Sequence, residues 1–430
     1  MTGGGPVPLR LLPETSEVSA EGRLRIGGVD LVELCAEHGT PLFVYDEEHL
    51  RRRCREAFVA FGPGVAYASK AFLCRAMARL AFEEGLRIDV STGGETYVAL
   101  QAGVPGDDLV LHGNNKSDRE LCEALGAGIG RIVVDSFDEI DRLERLVPRV
   151  AGAARPAVLI RVTPGIEAHT HEYVQTGHEA SKFGFGLRSG AAAEAVARLR
   201  GPASPVELVG IHCHIGSQIF EASSFARALA VLAPFFAPLG LSELVVGGGL
   251  GVAYVEGEAA PSITEWAAAV RDAARDAGID PSVRISAEPG RSIVAAAAVT
   301  CYSIGTIKHI PGIRTYVSVD GGMSDNPRPV LYGSGYEAFL ARSVPAVRPF
   351  EASVVGKHCE SGDIVVRHAA LPEDTVVGDI LVTPVTGAYG HSMASNYNKV
   401  GRPARTNTTA GRARVVVRRE TYDDLLRLDE

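Results

Sequence analysis

Short runs rich in Val, Ile and Leu recur between residues 65 and 288: VAYAS (65–69), RIDVS (87–91), LVLHG (109–113), RIVVDS (131–136), AVLIRV (157–162), LVGIHCHI (208–215), ELVVGG (243–248) and VRISAE (283–288). Between them the apolar positions change to helical spacing, as in AFLCRAMARLAFEEG and SFARALAVLAPFFAPLG, and both stretches end on a glycine of the kind that closes helices. Strands buried on both faces need not alternate in polarity, so eight such runs alternating with helices predict a (β/α)8 barrel of the TIM type. A doubly wound open sheet is the competing arrangement of the same elements.

After Arg291 the texture changes to strand-like runs with few amphipathic helices: TYVSVDGG, FEASVVG, DIVVRHA, DILVTPV and RARVVVRRE. These predict a second, mostly β domain of sandwich or barrel type, an α/β plus β chain overall. RLRIGGVDL (23–31) has the same character and precedes the first barrel strand, so it is expected to join that domain. The expected division is a flexible lead-in over 1–22, a barrel over 41–291, and a β-rich domain made of 23–40 and 292–430. No heptads, fixed-period repeats or low-complexity tracts interrupt this pattern.

Composition narrows the function. At 430 residues the chain can bury a large core, and its formal charge of -9 with pI ≈ 5.8 comes with scattered Lys and Arg rather than a basic patch. Nucleic acid and anionic membrane are therefore not expected as partners, and small-molecule chemistry is. Seven dispersed cysteines without a CxxC spacing argue against a disulfide framework and for a reducing compartment. Without a signal-like N-terminus or a long apolar run, a cytoplasmic soluble protein is expected. Cys359 in VVGKHCESGDIV then reads as a free thiol beside a glutamate in a glycine-flanked bend, and its neighbours alone do not say whether it is core filler, ligand, nucleophile or proton donor.

Active sites of (β/α)8 barrels lie at the C-terminal ends of the strands. Here those ends are polar: Ser69-Lys70, Asp89 and Ser91, the HGNNK run from His112 to Lys116, Arg161, His214-Ile215-Gly216-Ser217, Gly247-Gly248-Gly249, and Glu288-Pro289-Gly290-Arg291. The period of a strand puts His212 and His214 of HCH on one side, a hint of zinc, but HTHE (169–172) reads as a loop and supplies no third ligand, so no metal is expected. A lysine able to form a Schiff base, an acid for a pyridinium nitrogen, an imidazole to stack on a ring and glycine turns for a phosphate are together what pyridoxal 5'-phosphate requires.

AYASKAF, HGNNKSDREL, GIEAHTHEYVQTG, ASKFGF, HCHIGSQIF, VVGGGLGVAY, AEPGRSIV, VDGGMSDNPRPVLY, GKHCESGDIV and GAYGHSMASNYN resemble the fold-type III pyridoxal-phosphate decarboxylases, and within them the diaminopimelate branch, over residues 23 to 415. The resemblance implies that Lys70 is the Schiff-base lysine, that His214 stacks on the cofactor ring and that Glu288 holds its nitrogen protonated. It implies Ser217, Gly248, Gly249, Pro289, Gly290 and Arg291 around the phosphate, Tyr389 closing over it, and Asp89 and Arg161 in support. For substrate it points to Arg291, Arg328, Tyr332, Glu360 and Tyr389, with Cys359 as the acid of the reaction. It further implies a homodimer in which the CESGD loop enters the partner's barrel mouth. The implied reaction is decarboxylation of meso-diaminopimelate to L-lysine and CO2, the last step of lysine biosynthesis. Two alternatives stand beside it: a decarboxylase of D-ornithine, D-lysine or a biosynthetic conjugate, and a catalytically inactive regulatory homologue, against which the intact Lys70, Glu288 and Cys359 weigh.

Overall fold

The computed structural model describes residues 5–150, 155–165 and 181–430. The chain divides into two compact units, one made of Cys54–Val252 and Ala260–Ser292, the other of Met1–Arg53, Ala253–Ala259 and Ile293–Glu430.

In the first unit eight parallel strands follow one another: β1 (Ala66–Ala68), β2 (Arg87–Val90), β3 (Leu109–Leu111), β4 (Arg131–Val134), β5 (Ala157–Thr163), β6 (Glu207–His212), β7 (Glu243–Val245) and β8 (Arg284–Ser286). Each pairs with the next, so the order never reverses as it would in a doubly wound sheet. Backbone N–H groups of Ala66 and Ala68 donate to the carbonyls of Ala287 and Pro289, both at 3.0 Å, and join β1 to the segment leaving β8. The predicted barrel is thereby closed, and its strands present no free edge. Ala66, Val110, Leu159 and Val245, from the odd-numbered strands, pack together inside with Val133, the layering that side chains of alternate strands produce in such barrels.

Sequence signals for the surrounding helices hold at their starts. Ser117 and Ser262 each cap a helix through a reciprocal box with Glu120 and Glu265, at the S-x-x-E spacing that identifies such a box. Each cap stabilises its helix by about 1 kcal/mol. Trp266, fully buried, meets Phe61 at 4.9 Å and Phe225 at 5.0 Å between ring centroids, which fixes one of these helices on its neighbours.

In the second unit the predicted β-rich runs all fall in strands, at Arg314–Val319, Phe350–Val355, Ile364–Leu371, Ile380–Pro384 and Arg412–Val417. Their organiser is the strand Ala298–Ile310, which pairs with Leu42–Asp46 and Ile380–Pro384 along its first part and with Arg314–Val319 along its second. Leu42–Asp46, counted with the barrel in the sequence, instead hydrogen-bonds between Ala298–Ile310 and Ala404–Thr409. Its fully buried LFVYD run looks like a barrel strand because it too is covered on both faces. RLRIGGVDL forms a small antiparallel sheet of its own with Glu17–Val18, and Leu24 and Ile26 pack into the same core as Leu42, Val299 and Val382. No helix among the described residues is long and apolar enough to cross a membrane.

Candidate active site

The strand ends of the barrel gather its charges. Lys70 stands in the turn Ser69–Ala71 directly after β1, and its positive charge acts on Asp89, His112 and His214. Glu288, on the segment leaving β8, is buried, and its carboxylate takes one hydrogen bond on each oxygen: His112 Nε2 lies 2.8 Å from Oε1 and His212 Nε2 lies 2.9 Å from Oε2. Burial alone would raise Glu288, but the two imidazoles more than offset it and hold the carboxylate well below its usual range. Asp89 is buried beside them, with Oδ1 at 3.8 Å from His112 Nε2.

His212 and His214 do different work. β6 ends at His212, so the two rings do not share a strand face as the HCH spacing suggested. The backbone N–H of Gly248 donates to His214 Nδ1 at 3.2 Å, and burial together with the charges of Lys70 and Arg161 keeps this imidazole neutral. A neutral ring held at its edge offers its face for stacking. Buried Arg161 lies over the ring of Phe183 at 4.3 Å and 3.9 Å from Asp135. Its guanidinium supplies positive charge to Asp89 and Glu288.

On the glycine-rich side, Arg291 Nη2 donates to Ser217 Oγ at 3.0 Å. Gly249 has φ +107°, and a Cβ there would lie 2.2 Å from the carbonyl oxygen of Gly216. No other residue fits, and the loop's N–H groups stay close to the strand ends. A Cβ at Gly290, next to Pro289, would lie 2.9 Å from Ala68, so the turn after β8 also packs at backbone distance against β1.

In the second unit Arg328, 4% exposed, opens the short helix Arg328–Tyr332. Its guanidinium stacks over Tyr254 at 4.1 Å and donates through Nη1 to Tyr336 Oη at 2.7 Å. Nε is buried without a hydrogen-bond partner among the described residues. Among the described residues two phenol rings and no carboxylate hold this buried guanidinium, an arrangement suited to an anion.

The family described as "Pyridoxal-dependent decarboxylase, pyridoxal binding domain" matches residues 47–295. A diaminopimelate decarboxylase of Mycobacterium tuberculosis is 46% identical over 97% of this chain and 97% of its own length, and one of Bacillus subtilis is 45% identical over 96% and 97%. A crystal structure of diaminopimelate decarboxylase from M. jannaschii in complex with L-lysine superposes with a TM-score of 0.88 at 32% identity, covering 97% of this chain and 98% of that one. The chain belongs to the diaminopimelate decarboxylase family.

For a member of the diaminopimelate decarboxylase family the donor set at the barrel mouth suits a pyridoxal cofactor: an amine at Lys70, a neutral imidazole at His214, an ionised buried acid at Glu288, and an Arg291–Ser217 pair beside glycines whose backbone comes close. The same three groups, His112, His212 and Glu288, bring their ligating atoms within 4.8 Å of one another. Both Nε2 atoms are turned to the carboxylate, at 2.8 and 2.9 Å. The HTHE stretch, 169–172, lies outside the described residues.

The CESGD loop connects the strands Phe350–Val355 and Ile364–Leu371. Cys359 and Glu360 are exposed, which removes the core-filler reading of this thiol. The loop is pinned beneath them. Asp363 is 3% exposed and accepts from the backbone N–H groups of Met323 at 2.7 Å and His358 at 2.9 Å, while Asn398 Oδ1 accepts from the N–H of Cys359 at 3.1 Å. Tyr389 holds φ +68°, in the left-handed region, a strained conformation for a bulky side chain. Replacing Asp363 by Ala leaves two amides without their acceptor, and we expect a loss of about 2–5 kcal/mol in unfolding free energy. Denaturant unfolding of Asp363→Ala checks this; an unchanged midpoint would show that the loop is held by other contacts.

Sequence reasoning singled out Lys70, His214, Glu288 and Arg328 but not the groups that contact two of them. His112 entered it as a strand-end polar residue and His212 as half of the HCH spacing, and Tyr254 and Tyr336 carried no signal beyond ordinary aromatic content.

Proposed function

We propose that this protein is a homodimeric, cytoplasmic enzyme that removes CO2 from meso-2,6-diaminopimelate to give L-lysine, using pyridoxal 5'-phosphate. The observation that carries the substrate is Arg328, a buried cation held in place and with no carboxylate partner among the described residues. A substrate with a second amino acid centre brings one; ornithine-type substrates do not.

When bound, pyridoxal phosphate supplies an electron sink for the pair left at Cα once CO2 departs. Lys70 would hold it through Nζ. Glu288, already ionised, would favour a proton on the ring nitrogen, and the neutral His214 would offer its face to the ring. The Arg291–Ser217 pair and the backbone N–H groups of Gly248, Gly249 and Gly290, with Pro289 setting the turn, hold the phosphate, and Tyr389 joins them. Asp89 and Arg161 balance the charge of this set. Arg328 and Tyr332 bind the distal carboxylate, and Glu360 binds the distal ammonium. The names and full-length similarity of the relatives support this reading.

Cys359 gives its proton to Cα. A thiol carries a transferable proton and can serve as a general acid. Misdirected protonation at C4′ would give pyridoxamine phosphate and a carbonyl product instead of lysine. Cys359→Ala is therefore expected to bind cofactor normally, to turn over more slowly and to convert a measurable fraction of events to pyridoxamine phosphate. Product analysis after a single turnover decides: lysine alone, formed at the normal rate, would exclude Cys359 as donor. The assignment of Lys70 has its own test. Borohydride reduction followed by peptide mapping should find the cofactor on Lys70; attachment elsewhere, or none, would overturn the reading.

A further inference from the structure

The pair of histidines on Glu288 is more than a pocket wall. His112 bridges two buried acids, 2.8 Å from Glu288 Oε1 and 3.8 Å from Asp89 Oδ1, and Asp89 Oδ1 has no hydrogen-bond partner among the described residues. The rings of His112 and His212 meet edge-on, centroids 4.8 Å apart with an interplanar angle of 68°, so neither can swing from the carboxylate without moving the other. His212 Nδ1 is buried with no hydrogen-bond partner among the described residues. Its tautomer follows from that: the proton is on Nε2, donated to Glu288, and the lone pair on Nδ1 faces nothing.

We propose that His112 and His212 are positioning residues that lower the basicity of Glu288 toward the cofactor's ring nitrogen, and that Asp89 acts on the cofactor only through His112. This rests on the reading of Glu288 as the acid at that nitrogen. In a hydrogen-bonded pair of carboxylate and pyridine one proton is shared, and it sits on the more basic partner. Two N–H donors on the carboxylate, with the two acids beside His112 favouring its charged form, make Glu288 the weaker base and leave the proton on nitrogen, where the electron sink needs it. Asp89 completes the balance. With only Glu288 as counter-ion, His112 would face an arriving pyridinium across a shared carboxylate and lose its proton. Burial and the charge of Glu288 push the Asp89 carboxyl above its usual range, against the pull of His112; with Asp89 ionised the row would run minus, plus, minus and accept one further positive charge.

The electrostatics agree. Burial would depress His112, but Asp89 and Glu288 more than offset it, so that its pKa is raised, whereas burial takes His212 down to about 4. The other charges facing this row are Lys70, Arg161 and Glu95, and neutral Cys213 and His214 lie beside it.

The test needs no turnover. Pyridoxal phosphate labelled with 15N in the ring is bound to the protein, and the nitrogen signal is followed between about pH 6 and 9, the span over which an unperturbed imidazole changes charge. The unmodified protein should give a protonated-pyridine signal that does not move with pH. His112→Gln should shift it toward the neutral-pyridine position at every pH, and Asp89→Asn should make it pH-dependent, because His112 then loses its proton within the range. His212→Gln, which keeps a neutral donor, should stay close to the unmodified protein, whereas His212→Leu should shift. A merely structural role would loosen binding without moving the signal of the bound fraction. Folded variants of His112 and Asp89 whose bound signal stays protonated and flat would overturn the proposal while leaving the function standing, whereas an unprotonated nitrogen in the unmodified protein would overturn both the proposal and the role given to Glu288. Failure to bind pyridoxal phosphate at all would overturn both.

Discussion

Arg328→Ala is expected to erase the preference for diaminopimelate over lysine. A site built to pair a buried charged group rejects analogues lacking that group by up to roughly 10⁴–10⁵, and Arg328 has the features of such a site: 4% exposure, a phenol face at 4.1 Å, a hydrogen bond to Tyr336, and no neutralising carboxylate among the described residues. The unmodified protein should decarboxylate D- or L-lysine at a small fraction of its rate on diaminopimelate. In Arg328→Ala, kcat/KM for diaminopimelate should fall by several orders of magnitude while that for lysine changes little. The stacked, bidentate role is not met by an ammonium, so Arg328→Lys should recover only part of the loss. Equal turnover of lysine and diaminopimelate by the unmodified protein would remove the basis of the substrate assignment.

The second large effect concerns two inactive proteins that become active together. Lys70→Ala lacks the anchoring amine and Cys359→Ala lacks the proton donor, and each alone should be nearly inactive. If Cys359 and Glu360 serve the partner's Lys70, mixing the two and allowing subunits to exchange gives hybrids in which one of the two sites is intact. Random exchange makes half the dimers hybrids, so about a quarter of the unmodified activity is the ceiling. Recovery toward that value is expected, measured as CO2 released after exchange has been verified by mass. No recovery with verified exchange would assign all of these residues to one chain. Exposed Cys359 and Glu360 on a loop pinned from below by Asp363 are consistent with residues displayed for use elsewhere.

The barrel could be read from the chain because each of its strands is an unbroken apolar run ending in polar residues, a consequence of burial on both faces with chemistry at one end. The same property does not tell where the barrel begins, expected at residue 41. Leu42–Asp46 is as thoroughly buried as a barrel strand, and only its partners, Ala298–Ile310 and Ala404–Thr409, reveal that it belongs to the other sheet. Local pattern reports burial and not which neighbour supplies it. HCH shows the same limit on a smaller scale. Period-two spacing holds only while the strand lasts, and β6 stops at His212, so one histidine turns to Glu288 while the other is held by the N–H of Gly248. Residues that touch the chemistry stand in recognisable runs such as ASKAF and AEPGR. Residues that hold them, His112 for Glu288, Tyr254 for Arg328 and Asn398 for Cys359, come from distant parts of the chain, and no spacing along the sequence encodes such a contact.

The most direct measurement is made on the purified protein supplied with pyridoxal phosphate and meso-diaminopimelate, with CO2 and amino acid products quantified together. One CO2 and one L-lysine per diaminopimelate consumed, with D-ornithine and D-lysine turned over far more slowly, is the result expected. Absence of CO2 from diaminopimelate in a folded protein that carries its cofactor on Lys70, or faster release from an amino acid without a distal carboxylate, would contradict it.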